Sequence, residues 1–283
     1  MRSYQTFALA VATTAVLATG HARAADLPPM LPPPPMMQEY GGWYLRGDIG
    51  MSNQRVKGIE HPAFVPPAGG VFEWLDSGSF DSGTFFGIGL GYEFNSWLRM
   101  DLTGEYRGKT RFSARDRVFD PGPVFLQIND YTARKSEWLF LWNTYVDLGT
   151  WKNITPFVGA GLGASRNTIS EFVDVNPTTG GSGTAGTGHK WNFAWALHAG
   201  LAYDVTPNFT IELAYRYLNL GNAKTGDFRN DDPSEGCNAT PPCYPVQFKN
   251  ITSHDIKLGV RWAMADMGVS HWQPPMQPVY SKY

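Results

Sequence analysis

The sequence predicts an all-β chain: an eight-stranded antiparallel up-and-down transmembrane β-barrel with short periplasmic turns and long external loops. Three observations predict it. Apolar and charged side chains alternate with period two in eight segments. Short and long connections take turns between those segments. Aromatic side chains gather at the short-turn end. Composition agrees, because only 17% of the 283 residues are charged, 14% are aromatic and 31 are glycine. That charged share is well below the quarter typical of a soluble domain.

Composition also excludes. With 23 Lys+Arg against 25 Asp+Glu, the formal net charge is −2, which rules out a basic nucleic-acid binder. Two cysteines cannot make a disulfide-dense scaffold or a four-cysteine zinc site. No catalytic, cofactor-binding or metal-binding residues are expected.

Residues 1–24 read as a cleaved signal peptide. Arg2 gives a basic start, Phe7 to Leu17 an apolar stretch too short to span a bilayer, and Ala22-Arg23-Ala24 a small-residue cleavage site. Removing it takes away Arg2 and Arg23, leaving 21 basic residues against 25 acidic ones, a mature charge of −4. Residues 25–41 read as a Pro-rich periplasmic spacer. Six prolines between Pro28 and Pro35 exclude helix and ladder and favour stiff polyproline II. No later segment approaches 18 consecutive apolar residues, so any membrane crossing is made by strands.

The strands follow in order across residues 42–264. Trp43, Leu45, Ile49 and Met51 oppose Tyr44, Arg46, Asp48 and Ser52. Phe86, Ile88, Leu90 and Tyr92 oppose Gly87, Gly89, Gly91 and Glu93. Leu98, Met100, Leu102 and Tyr106 oppose Arg99, Asp101, Glu105 and Arg107. Trp138, Phe140, Trp142 and Val146 oppose Glu137, Asn143 and Asp147, although Leu139 and Leu141 blur that strand. Val158, Ala160 and Leu162 oppose Gly159, Gly161, Gly163 and Ser165. Phe193, Trp195, Leu197, Leu201 and Tyr203 oppose Asn192, His198 and Asp204. Phe209, Ile211, Leu213, Tyr215 and Tyr217 oppose Glu212 and Arg216. Ile256, Leu258, Val260 and Trp262 oppose Asp255, Lys257 and Arg261. Strict alternation marks strands with one apolar face.

Asn95-Ser96, Gly149 to Asn153 and Val205 to Asn208 are short polar turns. The other four connections, about Asn53–Ser82, Gly108–Arg134, Asn167–Lys190 and Gly221–Asn250, are long. Outer-membrane barrels show this asymmetry. Trp43, Phe94, Trp97, Trp151, Phe157, Tyr203, Phe209 and Trp262 fall beside the short turns. They would form a periplasmic aromatic girdle at headgroup depth.

Gly42-Trp43-Tyr44-Leu45-Arg46-Gly47-Asp48-Ile49-Gly50 and Ile256-Lys257-Leu258-Gly259-Val260-Arg261-Trp262, behind a signal peptide and a proline-rich spacer, resemble the alphaproteobacterial outer-membrane barrels of the opacity, surface-antigen and heat-resistant agglutinin type. The resemblance implies a Gram-negative outer-membrane protein, handled by the barrel assembly machinery. It also implies a structural, adhesin- or antigen-like role toward host or neighbouring cells. Such families end on a barrel-closing aromatic; here residues 265–283 follow Trp262 as a tail.

The inward charges, Arg46, Asp48, Glu93, Arg99, Asp101, Glu105, Arg107, Glu212, Arg216, Lys257 and Arg261, read either as a self-paired plug or as a narrow ion path. An eight-stranded barrel is just wide enough for side chains to fill. The inward glycines make room for long neighbours. Cys237 and Cys243, six apart in the last loop, are expected to form a disulfide in an oxidising compartment. For a lipid A-modifying enzyme the candidates are His198, inward, and His254, toward lipid. The loops are expected to carry function. Phe72 and Trp74 in the first and Arg111, Arg115 and Arg117 in the second are of the types that anchor contacts. The arginines could meet lipopolysaccharide phosphates. The third loop, Thr178 to Gly188, is nearly pure Gly, Thr and Ser and reads as mobile.

Overall fold

The computed structural model of the protein describes residues 41–62, 64, 69–122, 124–231 and 244–264. The signal peptide, the spacer up to residue 40, the Cys237–Cys243 pair and the tail 265–283 lie outside the described residues. Within them there are strands and no helix: β1 (Gly42–Arg55), β2 (Gly58–Glu60), β3 (Val71–Phe80), β4 (Gly83–Glu93), β5 (Leu98–Phe119), β6 (Phe125–Asp147), β7 (Ile154–Val175), β8 (Ser182–Ala185), β9 (Gly188–Thr206), β10 (Phe209–Asn230) and β11 (Pro245–Ala263).

Eight of these make a closed antiparallel ring, each paired to its sequence neighbour in the order β1, β4, β5, β6, β7, β9, β10, β11. β11 returns to β1, with Lys257 opposite Gly50 and Arg261 opposite Arg46. The protein is an eight-stranded up-and-down barrel, and closure leaves the ring with no open edge. The turn between β4 and β5 is held by Asn95, whose Oδ1 accepts from Trp97 N at 3.0 Å and Leu98 N at 2.8 Å. The turn between β6 and β7 uses Lys152 and Asn153 at positive φ, 49° and 64°.

The lipid-facing rows are apolar and exposed, as at Ile88, Leu102, Trp142, Leu162, Phe193 and Ile256. Along β6 and the residue that follows it, this band runs from Trp138 to Leu148, eleven residues, the length a tilted strand needs to cross a bilayer. Trp43, Phe94, Trp97, Trp151, Tyr203 and Trp262 are all exposed at the short-turn end. Phe157 is not among them. It is buried, against Tyr145 and under the Arg99 guanidinium at 4.7 Å. Its parity on β7 is that of Gly159 and Gly161, the inward set.

The long connections depart most from expectation. Where described, they are largely strand: β5, β6, β7 and β10 run for 22 or 23 residues, and only residues 120–124 separate β5 from β6. The third loop carries β8, which pairs with both β7 and β10. Here the alternation changes sign. On β5 the inward residues are Arg99, Asp101, Glu105 and Arg107 below, then Phe112, Ala114 and Val118 above, while Arg111 and Arg115 point out. An extra residue between Arg107 and Thr110 shifts the register and switches the parity, the geometry of a β-bulge. Matching register shifts fall beside Glu171 (φ 53°), Gly221 (φ 71°) and Asn250 (φ 49°). Above the membrane the outer face meets water and the inner face does not. The inner side therefore takes the apolar residues; on β5, β7, β10 and β11 a bulge shifts which parity faces inward without breaking the ladder, while β6 keeps one parity from Asn129 to Tyr145.

Candidate functional site

The interior has two floors. The lower one lies inside the membrane band and is charged. Arg46 on β1 gives Nε to Asp48 at 2.7 Å, Nη1 to Asp101 at 2.8 Å and Nη2 to Glu212 at 2.7 Å. Glu212 also meets Arg99 at 3.1 Å and Arg261 at 2.8 Å. Arg99 reaches Asp147, Arg261 reaches Glu93, and Lys257 lies 3.4 Å from Asp48. Slightly higher, Arg216 is clamped by Glu105 at 2.5 Å and Asp255 at 2.8 Å. Arg107 shares Asp255 at 2.8 Å and contacts Glu137, which also pairs with Lys135.

Every predicted lumen residue thus sits in one of two cross-barrel networks, one centred on Glu212 and one on Asp255. Glu93 is their most open member, at the periplasmic mouth, with a side chain 41% exposed. Burial of so many charges is tolerable only with pairing of this completeness. Aromatics brace the cations: Arg99 lies 4.3 Å over the Tyr145 ring, and Arg107 and Arg216 lie 4.9 and 5.1 Å over Phe85. The inward glycines permit it. A Cβ at Gly91 would strike the Tyr44 ring, one at Gly159 the Tyr145 ring, and one at Gly161 the Asn143 amide.

The upper floor is apolar. Phe80, Phe112, Tyr131, Phe172, Phe228 and Phe248 fill the space inside the outer extension, with Leu139, Leu141, Leu218 and Val246 beneath and between them. Their rings meet edge-on or tilted, as Phe112 does with Phe248 at 4.9 Å, which is the favoured geometry for aromatic pairs. Leu139 and Leu141 blurred the β6 pattern because they belong to this cluster and not to the lipid face. Periodicity alone could have flagged it, since Phe112, Ala114 and Val118 form their own alternating row.

This floor also corrects the expected loop anchors. Trp74 packs against the cluster, 5.7 Å from Tyr131, and carries Phe72 on its edge at 5.1 Å. Burial of their apolar rings holds them inward. Arg115 is paired with Asp130 at 2.5 Å and Arg117 with Glu73 at 2.7 Å. Arg111 stays exposed, and no side-chain partner is seen for it among the described residues. The cap also holds Asp174, whose carboxyl is pushed up to about 7 by burial and then by the nearby Asp116 and Asp130 charges.

The two histidines have structural surroundings. His198 Nε2 lies 3.1 Å from Asn143 Oδ1 inside the lumen, and His254 Nδ1 lies 2.7 Å from Tyr215 Oη on the outer face. Among the described residues, neither has a serine, cysteine or carboxylate within the hydrogen-bonding reach that nucleophile activation needs.

A closed eight-stranded ring, a lipid-facing apolar band and an interior occupied by side chains define an integral outer-membrane barrel. The chain belongs to the outer membrane protein beta-barrel domain family, whose model matches residues 12–263. An uncharacterized protein of Brucella abortus is 32% identical over 265 residues, spanning 85% of this chain and 92% of the relative. The outer membrane protein PagN of Salmonella typhimurium is 29% identical over 187 residues, 62% of this chain and 71% of that one. A Rickettsia canadensis protein named as a candidate adhesin is 30% identical over 142 residues, 49% of this chain and 59% of the relative.

Proposed function

We propose that the protein acts at the cell surface through its outer cap, as an adhesin- or antigen-like contact protein that also reinforces the membrane. One observation carries this reading: both floors of the interior are occupied, the lower by paired charges and the upper by packed rings. A barrel filled in this way offers its outer end and not a path. That end carries apolar residues in the open, among them Val71, Leu75, Val124 and Phe125. Exposed apolar clusters on a water-facing surface are characteristic of interaction sites. The name of the Rickettsia relative agrees with this reading. The alternatives are a narrow small-solute channel and a lipid A-modifying enzyme, and no contact in the lumen or at either histidine favours them.

The test displays the full chain on a non-adherent bacterium and counts attachment to host cells. Replacing Val124, Phe125, Val71 and Leu75 by serine should abolish attachment while heat-modifiable gel mobility shows a folded barrel. Planar-bilayer recordings of the same protein should be silent. Undiminished attachment together with steady single-channel current would overturn the reading in favour of a channel.

A further inference from the structure

The outer edge of the lipid-facing band holds a row that the apolar pattern does not explain. Tyr106, Trp138, Arg166 and Trp191 stand directly opposite one another across β5, β6, β7 and β9. All four project outward, and Phe140 and Phe193 in the row just below, with Leu162 one row further, face lipid. Arg166 is therefore a guanidinium set between two tryptophans at the height where interfacial rings settle. Four residues further out on β6, Arg134 stands directly opposite Arg111 of β5, a step of about 13 Å at the rise of an extended strand. Ser136, Thr168 and His189 form the row in between. Lys109, on the bulge, adds another cation.

Glu171 is the acid that pairs on this face, at 3.4 Å from Lys109 and 3.0 Å from Arg134. Four cations against two carboxylates, Glu171 and the exposed Asp81 whose N–H meets Arg111 O at 2.8 Å, leave a surplus of two on a chain whose net charge is −2. Among the described residues, Arg111 and Arg166 have no acid partner. Like charges directly opposite on a ladder are destabilising, and an arginine turned toward lipid costs up to about 1 kcal/mol even near the interface. Both costs vanish when an anion sits at headgroup depth.

We infer that this face of β5, β6, β7 and β9 binds a phosphorylated glycolipid of the outer leaflet. Its acyl chains lie along Phe140, Leu162 and Phe193. Its phosphates are held by Arg166 below and by Arg111, Arg134 and Lys109 above, where guanidinium forks suit phosphate oxygens. Its sugar hydroxyls face the intervening Ser136, Thr168 and His189. The bulge that turns the strand's polarity also brings Lys109 to the outside, so one device serves both the cap and the lipid face.

The test uses the full chain in nanodiscs with native mass spectrometry, offering bisphosphorylated lipid A or the same lipid with its phosphates removed. The phosphorylated form is expected to be retained at least tenfold more strongly. The R111Q/R134Q/R166Q triple variant should lose about a hundredfold, at roughly 1 kcal/mol per surface cation. The R111K/R134K/R166K variant should bind between the parent and the triple Gln variant, because it keeps the charge and loses the guanidinium fork, and a double variant R55Q/K224Q on other strands should bind as the parent does. Equal retention of both lipids, or equal loss in the R55Q/K224Q control, overturns the inference.

Discussion

Arg46 of β1 and Glu212 of β10 are 166 residues apart in sequence and meet at 2.7 Å inside the barrel. Glu212 is the junction of the lower floor, because Arg99 and Arg261 converge on it as well. Removing it leaves three buried guanidiniums short of an anion. Glu212→Ala is expected to cost about 3–5 kcal/mol, the loss typical of breaking a buried pair. The urea midpoint of the folded barrel reads this directly. Glu73→Ala, which breaks the exposed pair with Arg117, should cost at most about 1 kcal/mol. Similar losses in both would contradict the view that burial decides the value of these pairs.

The β6–β7 seam depends on an absent side chain. A Cβ at Gly163 would collide with the Phe140 carbonyl and the backbone of Leu141, and backbone cannot swing aside as a side-chain tip can. Gly163→Ala should therefore destabilise by about 1–3 kcal/mol, as overpacking does. Gly58→Ala, where nothing stands within 4 Å, should be close to neutral. Parallel denaturant titrations of the two variants measure the difference.

The bulge at the outer end of β11 places Asn250 at φ 49°, a conformation that asparagine and glycine tolerate and β-branched residues resist. Asn250 also receives Asn219 Nδ2 at 3.2 Å and donates its backbone N–H to Asn222 Oδ1 at 2.8 Å. Asn250→Gly should stay within about 1 kcal/mol of the parent, and Asn250→Val should lose about 2 kcal/mol or more. Equal effects would mean that the left-handed turn is not required for the parity switch.

The outer cap should respond to pH. Asp174 has its folded pKa raised to about 7 by burial, with Asp116 and Asp130 adding repulsion, against about 3.9 in an unfolded chain. The folded state therefore holds the proton more tightly. Its stabilisation is complete below about pH 4 and is lost as pH rises to about 7. Amide exchange of residues 112–118 and 169–175, corrected for intrinsic rates, should show stronger protection at pH 5 than at pH 8. Asp174→Asn should remove that difference, and an unchanged difference in the variant would assign it to another group.

Much of the membrane section was legible because bilayer and lumen impose opposite demands on neighbouring residues. Leu98 to Tyr106 alternates with Arg99 to Arg107 for that reason alone, and the structure keeps those faces. The outer extension was not legible in the same way. Past Gly108 the solvents exchange places, water outside and protein inside, so the pattern inverts, and each inversion point reads as the end of a strand. Trp74 reads as an exposed anchor for the same reason, since nothing local says which side of the sheet it occupies.

Arg166 escaped because it is a single charge in a row otherwise given to lipid-facing residues, and its meaning depends on what stands across from it on β6 and β9. Period, turn length and residue class are local, so the sequence by itself determined the strand count, the sidedness and the charged lumen. Which arginine meets which carboxylate, where the bulges fall and which rings close the cap are contacts between distant segments. Only the closed ring decides them, because closure fixes every register at once.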